Sequence, residues 1–331
     1  MNQIGVDVSN AVFDATRLSD ERLTRRQFAN TPCGYRQFSR WALHGTEAAR
    51  VCLEATGIYH LQLALALHDH PAIELMVVNP CAARRFAQAH MVRAKTDTID
   101  ADGLLQYLQR MPFQAWCAPR DEVLQLQSLA HRIAQLNQEI IREASRLHAA
   151  RRAGGHTRWV QQDIQAHVKQ LRRRLEHIQA RALEVLKADE QLAQDAAIVT
   201  SAPGFAQRST TRLLAELAHL PADMAPTQWV AQAGLDPRPC ESGTSLRGPR
   251  RISKQGNARL REILFMPALV AIQRDANVAA YYNQLLAKGK AKMQAIIAVM
   301  RKLLHALWGM LHHRSTWDGE KFFKLNPCHN A

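Results

Sequence analysis

Four acidic residues in three separated patches have the types and spacing of a metal site. They are Asp7 in IGVDVS, Glu54 in VCLEATG, and Asp97 with Asp100 in KTDTID. Carboxylates gathered at one point repel each other, so such a site needs cations. Hard oxygen donors suit Mg2+ or Mn2+. A pair of such ions is the usual machinery for cutting or joining phosphodiesters. Singly, each acid has a plainer role. Asp7 can make a turn at a strand end, and Thr96-Asp97 can cap a helix with Asp100 in its first turn. Glu54, closing an apolar strand beside a glycine-containing turn, has little structural purpose. The joint pattern therefore reads as ligands. Asp97 and Asp100 are three apart, which puts both on one helix face near the positive end of its dipole. Asp102 points off that face and reads as a solvent-facing or supporting group.

These acids need elements to carry them. Ile4 to Val8 and Ala11 to Leu18 read as strands joined in a hairpin through Ser9-Asn10, with Arg26 to Ala29 as a third strand. Tyr35 to Leu43 reads as a helix. Arg50 to Glu54 is a buried strand, followed by Ala55-Thr56-Gly57 and a helix to about His68. Ile73 to Val78 is another strand; Ala82 to Ala89 and Asp97 to Gln109 are helices. Antiparallel strands first, then strands alternating with helices, is the order of a ribonuclease-H-like α/β fold over residues 1–118. No GxGxxG follows the first strand, which excludes a doubly wound dinucleotide fold.

Residues 119–195 read as a helical hairpin. Leu129, Ile133, Leu136, Ile140 and Leu147 recur at helical steps, as do Ile164, Val168, Leu171, Leu175, Ile178, Ala182 and Val185. The second run alternates steps of four and three, a heptad seam. Gly154-Gly155 separates the arms. From Arg142 to Lys187 there are 11 Lys/Arg against 4 Asp/Glu. This is a solvated face that could also dimerise and touch a nucleic-acid backbone.

Residues 196–331 are mostly helical. Pro203-Gly204 makes a tight turn before a helix, either a plain helix–helix turn or a phosphate-binding hairpin. The segment RPCESGTSLRGPRRISKQGNARLR, Arg238 to Arg261, carries seven Lys/Arg and one acid before a helix at about Asn257. It reads as a flexible Ser/Gly loop in which arginines place a hydroxyl, Ser242 or Ser245, beside a phosphate. Arg238, Ser245, Arg247, Arg250, Arg251, Lys254 and Arg259 are its candidate nucleic-acid contacts.

Composition agrees. There are 43 Lys+Arg against 29 Asp+Glu, a formal net charge of +14, which favours a polyanion such as DNA or RNA. No apolar run approaches the roughly 18 residues that would span a bilayer. The N-terminus lacks the basic and apolar stretches of a signal peptide. The chain reads as cytoplasmic, in a bacterium, beside the nucleoid, with no membrane partner. None of its six cysteines forms a CxxC pair, and they are expected to be buried thiols.

Together the motifs IGVDVS, LEATGIY, VVNP, RRFAQ, KTDTIDA, PGF, AGLDPR, ESGTSLRG, RISKQGNARLR and MRKL span nearly the whole chain. In them the chain resembles transposases of insertion-sequence family 110, DEDD recombinases related to the pilin-gene invertase. The resemblance implies a RuvC-like catalytic domain over residues 1–118, a coiled-coil dimerisation hairpin over 119–195 and a transposase domain over 196–331. It implies that Asp7, Glu54, Asp97 and Asp100 bind Mg2+ or Mn2+, and that Ser242, rather than Ser245, is the catalytic serine. It also implies a structured guide RNA that pairs with donor and target DNA, and a homo-oligomer of at least two chains. Ala206 departs from the second glycine of a phosphate-binding hairpin. Two other classes remain open from the residues alone. One is a junction-resolving nuclease that uses water as nucleophile. The other is a basic nucleic-acid binder without activity.

Overall fold

The computed structural model describes residues 1–55, 57–89, 97–221, 223–238, 241–242, 246–247 and 251–325; at 97–99, 241–242 and 246–247 it describes the backbone alone. The chain divides into two compact units, Met1–Ala118 and Pro119–Ala331.

The first unit is a five-stranded mixed sheet with helices. Its elements are β1 (Asn2–Val8), β2 (Val12–Ser19), β3 (Arg22–Ala29), α1 (Pro32–Ala42), β4 (Ala49–Glu54), α2 (Leu61–His68), β5 (Ile73–Val78), α3 (Pro80–Ala89) and α4 (Asp97–Arg110). The strand order is β3-β2-β1-β4-β5. The three hairpin strands are antiparallel, and β1, β4 and β5 are parallel. Side chains alternate across the pleat. Ile4, Val6, Val8, Val51 and Leu53 bury one face in a cluster that includes Phe13, Phe28, Tyr35 and Phe38, residues of β2, β3 and α1. On the other face Cys52, Met76 and Val78 meet Leu104 and Leu108 of α4.

The third strand is longer than the sequence suggests. It starts at Arg22, paired with Ser19, because Asp20 and Glu21 both take positive φ, 45° and 66°. A two-residue turn of that kind matches the twist of a hairpin. Its usual Asn-Gly signature is absent here, and only the ladder exposes it.

Gly5 sets the distance between α4 and the sheet. A Cβ on Gly5 would lie 2.1 Å from the Ala101 carbonyl oxygen and 2.3 Å from the Leu105 amide nitrogen. Only glycine allows that approach of backbone to backbone. Asp102 pins the same helix to the sheet. It accepts from Thr16 Oγ1 at 2.6 Å and from both Arg25 Nε and NH2, at 3.1 and 2.7 Å. Partial burial opposes its ionisation, but the Arg25 and Thr16 bonds outweigh this and hold its carboxyl below the usual aspartate range. The expected supporting group is thus a strut of the fold.

The second unit is mainly helical. The long helices α5 (Asp121–Ala153) and α6 (Arg158–Ala188) pack against each other. They are joined through Gly154, at φ 103°, and a single 3-10 turn. The buried stripe of α5 is Val123, Leu126, Ala130, Ile133 and Leu136, which shares only Ile133 and Leu136 with the expected first-arm spacing, while Val168, Leu171, Ala182 and Val185 of α6 are buried at expected positions. Glu143 also lies in the buried stripe, bonded to Arg146 of its own helix. The rest comprises α7 (Glu190–Thr200), α8 (Gln207–Leu217), α9 (Pro226–Gln232), α10 (Ala258–Arg274), α11 (Ala276–Ala287), α12 (Lys292–His312) and α13 (Gly319–Phe322). One core joins the base of the α5–α6 pair to Leu213, Leu264, Leu303 and Leu304. Gly204, at φ 88°, lies so close to Pro267 of α10 that a Cβ would come within 2.3 Å of its carbonyl oxygen; helix packing accounts for this glycine. Among the described residues no single helix is long and apolar enough to cross a membrane. The α10–α11 pair, apolar in sum, is bent by 100° and buries Leu260, Ile263, Leu264 and Val278 in this core.

Four cysteines are described, and all are free. Only Cys52 is buried, its thiol pushed up to about 12 by that burial, while Cys33, Cys81 and Cys117 are exposed. The expectation of buried thiols therefore fails at three positions. Those three side chains stand on solvent-facing positions outside the unit's two cores.

Gly5→Ala is expected to destabilise the first unit by about 3 kcal/mol, since neither backbone strand nor helix can move aside without repacking. Asp102→Asn should cost less and act mainly above the aspartate range. A carboxyl with a depressed folded value contributes stability there and loses it as pH falls through that value. Urea unfolding at pH 7 and pH 4 checks both. A Gly5→Ala midpoint equal to that of the parent would refute the close approach.

Candidate nucleic-acid-processing site

β1 and β4 run parallel, with Val6 opposite Leu53. One residue further along each strand stand Asp7 and Glu54, so both acids fall at the same level on neighbouring strands. The pleat puts them on the face of Gly5 and Cys52, which is the face that α4 covers. Both are half-buried. Asp100 is also half-buried, one residue before the Ala101 carbonyl that rests on Gly5. The fold therefore brings Asp7, Glu54 and the first turn of α4 to one side of the sheet. The backbone of Asp97 opens α4; its side chain lies outside the described residues. Among the described residues no three His, Cys, Asp or Glu side chains close on a common metal-binding point.

The ladder adds an acid that sequence reading missed. Asp14 on β2 is directly opposite Asp7. Its carboxylate accepts from Gln27 Nε2 at 3.1 and 3.2 Å. Like charges directly opposite each other weaken a β-ladder. A cation at that edge would remove the conflict, and an all-carboxylate donor set fits Mg2+ or Mn2+. The hairpin register was the only signal that could have found Asp14.

The Arg238–Arg261 segment is more ordered than a free loop. Two short ladders nest inside it, β6 (Pro237–Arg238) with β9 (Arg251–Ile252) and β7 (Glu241–Ser242) with β8 (Leu246–Arg247). Ser242 pairs with Leu246 through the backbone. The side chains of Ser242 and Arg247 lie outside the described residues, as do Ser245 and Arg250 entirely. Arg238 and Arg251 are exposed and directly opposite each other. Two guanidinium groups so placed repel, and a phosphate between them relieves the repulsion. Lys254, at φ 53°, and Arg259 are exposed just beyond. The second unit thus presents a positive edge at the segment that carries Ser242.

Comparison with known proteins is consistent with this arrangement. Residues 4–151 match a family model of DEDD transposases of the IS110 type, and residues 196–283 match the transposase IS116/IS110/IS902 family. The pilin gene-inverting protein of Moraxella bovis is 25% identical over 320 residues, covering 95% of this chain and 97% of that protein. The pilin gene-inverting protein of Moraxella lacunata is likewise 25% identical over 320 residues, with the same coverage. A 42 kDa protein of insertion element IS900 from Mycobacterium paratuberculosis is 33% identical over 126 residues, 37% of this chain and 31% of that protein. The first family model covers the acidic sheet and runs on into α5, and the second covers the Ser242 segment. The chain belongs to the IS110 family of DEDD transposases.

Proposed function

We propose that this transposase is an RNA-guided DNA recombinase that moves an insertion sequence through a covalent serine–DNA intermediate. The observation that supports it most is the pairing of two chemistries in one chain. A sheet face gathers carboxylates, and a positively charged, strand-paired segment carries Ser242.

Asp7, Glu54, Asp97 and Asp100 would hold Mg2+ or Mn2+ on a RuvC-like sheet. When bound, the cations draw charge off the scissile phosphate and steady the leaving oxygen. Arg238 and Arg251 hold the flanking backbone, with Ser245, Arg247, Arg250, Lys254 and Arg259 as further contacts. Ser242 Oγ attacks phosphorus. One phosphodiester P–O bond breaks as the Oγ–P bond forms, and the released deoxyribose oxygen takes up the proton that the serine loses. The new ester conserves the energy of the old one, so a hydroxyl from a second DNA end reverses the step and rejoins the strand. A structured RNA that pairs with donor and target DNA selects the sites, which leaves the protein to bind backbone by charge. The α5–α6 pair acts as a coiled-coil dimerisation hairpin, because strand exchange needs two DNA segments held at once.

A denaturing gel with labelled DNA should trap a protein–DNA adduct in the parent. Ser242→Ala should abolish the adduct, and Ser245→Ala should reduce it only mildly. Asp7→Ala, Glu54→Ala, Asp97→Ala and Asp100→Ala, or chelation with EDTA, should also abolish it while nucleic-acid binding persists. Cleavage by Ser242→Ala would instead assign the attack to water, as in a junction-resolving nuclease. Full activity in EDTA would remove the role of the cations.

Light scattering should find at least a dimer with RNA and DNA bound. A monomer throughout would exclude the paired arrangement.

A further inference from the structure

Glu216 on α8 is only 3% exposed. A carboxylate at that depth is costly unless donors surround it. Its Oε2 accepts from Asn257 Nδ2 at 2.5 Å, and its Oε1 lies 3.1 Å from His131 Nε2 on α5. Burial opposes ionisation of Glu216. The Asn257 bond, the charge of Arg259 and His131 wherever its Nε2 carries a proton oppose this and hold Glu216 below the usual glutamate range.

Asn257 ends the segment that carries Ser242. Its Oδ1 accepts from the Arg259 and Leu260 amides and so caps α10. Its own amide donates to the Gln232 carbonyl at 2.6 Å. Above this foot the two arms of the segment touch. The Ser253 amide donates to the Asp236 carbonyl at 2.9 Å, Ser253 Oγ to Asp236 Oδ1 at 2.5 Å, and the Lys254 amide to the Gly234 carbonyl at 3.1 Å. A Cβ on Gly256 would sit 2.3 Å from the Gln232 carbonyl oxygen, and one on Gly234 2.5 Å from the Gln255 carbonyl oxygen. The β6–β9 ladder continues this contact. The segment therefore stands on a stiff stem whose foot is the Glu216–Asn257 bond.

His131 adds a choice. Its Nε2 lies 3.1 Å from Glu216 and also 2.8 Å from Arg259 NH1. One ring nitrogen cannot donate to a carboxylate and accept from a guanidinium at once. When Arg259 holds it, Glu216 loses a donor. When Arg259 turns to another acceptor, His131 can donate to Glu216.

We propose that Glu216 is a positioning residue for the Ser242 segment, acting through Asn257. His131 tightens this anchor when a nucleic-acid phosphate draws Arg259 away. The catalytic consequence rests on Ser242 being the nucleophile; the anchor itself does not.

The test is hydrogen–deuterium exchange of the full chain, with and without random-sequence duplex DNA at low salt, alongside single-turnover cleavage. Glu216→Gln should speed exchange of the Ser253, Lys254 and Asn257 amides roughly tenfold, while α12 keeps its protection. It should slow cleavage on the order of 100-fold without weakening DNA binding. Adding Asn257→Asp should restore both, because the Gln amide can then donate to a carboxylate that still caps α10. DNA should raise stem protection in the parent and not in His131→Phe. A double variant no better than Glu216→Gln would overturn the anchor. An equal response to DNA in His131→Phe would overturn the coupling. Ser242→Ala should keep a protected stem. If it also cleaves, the nucleophile reading fails while the anchor stands.

Discussion

The approach of α4 to β1 at Gly5 governs the first unit. A hydrogen in place of a side chain lets the Ala101 carbonyl and the Leu105 amide lie on the strand. Every other feature of that face follows from this contact. Leu104 and Leu108 reach Cys52, Met76 and Val78 only at this distance. Asp102 reaches Thr16, the residue opposite Gly5, only at this distance as well. The start of the helix, where Asp97 and Asp100 lie, is brought to the side of the sheet that bears Asp7 and Glu54. A fold held by hydrophobic packing thus gathers like charges that would repel if left alone.

The second unit meets the opposite electrostatic problem. Its segment near Ser242 sets Arg238 against Arg251 on a two-residue ladder, too short to be stable by itself. Backbone contacts at Gly234 and Gly256, the Ser253–Asp236 bonds and the cap at Asn257 supply what the ladder lacks. A segment braced in this way is held close to one geometry. The first unit thus gathers acids and the second arginines, each set above neutral packing.

The α5–α6 pair shows how one seam serves two ends. Near its base Val123, Leu126, Ile133, Val185 and Leu186 belong to the core of the helical unit. Further out Leu136, Val168 and Leu171 remain buried by the two helices alone, and Glu143 enters the stripe with Arg146 beside it. A charged residue at a buried helix–helix position lowers stability and can fix register.

The sequence by itself carried most of the long elements, the apolar spacing of the second hairpin arm and the candidate acids, while the choice of Ser242 over Ser245 came only with the family resemblance. Strand alternation in Ile4, Val6 and Val8, heptad spacing from Ile164 to Val185 and the helix start at about Asn257 are local patterns. Each is readable from residues a few positions apart, because dihedral preference and periodicity act at that range. The candidate acids Asp7, Glu54, Asp97 and Asp100 stood out by type and spacing, and Ser242 through the family resemblance. What depended on strand register or on distant partners was not legible. The full length of β3, with Asp20-Glu21 as its turn, and the position of Asp14 opposite Asp7 needed the register. Asp102, read as facing solvent or supporting ligands, became a strut because Thr16 and Arg25 arrive from other strands. Glu216 acquired its partners only when α5 and α10 closed over it. Tertiary structure decided these roles because the fate of a polar group turns on whether its hydrogen-bond partners survive its removal from water. Those partners lie scores of residues away along the chain.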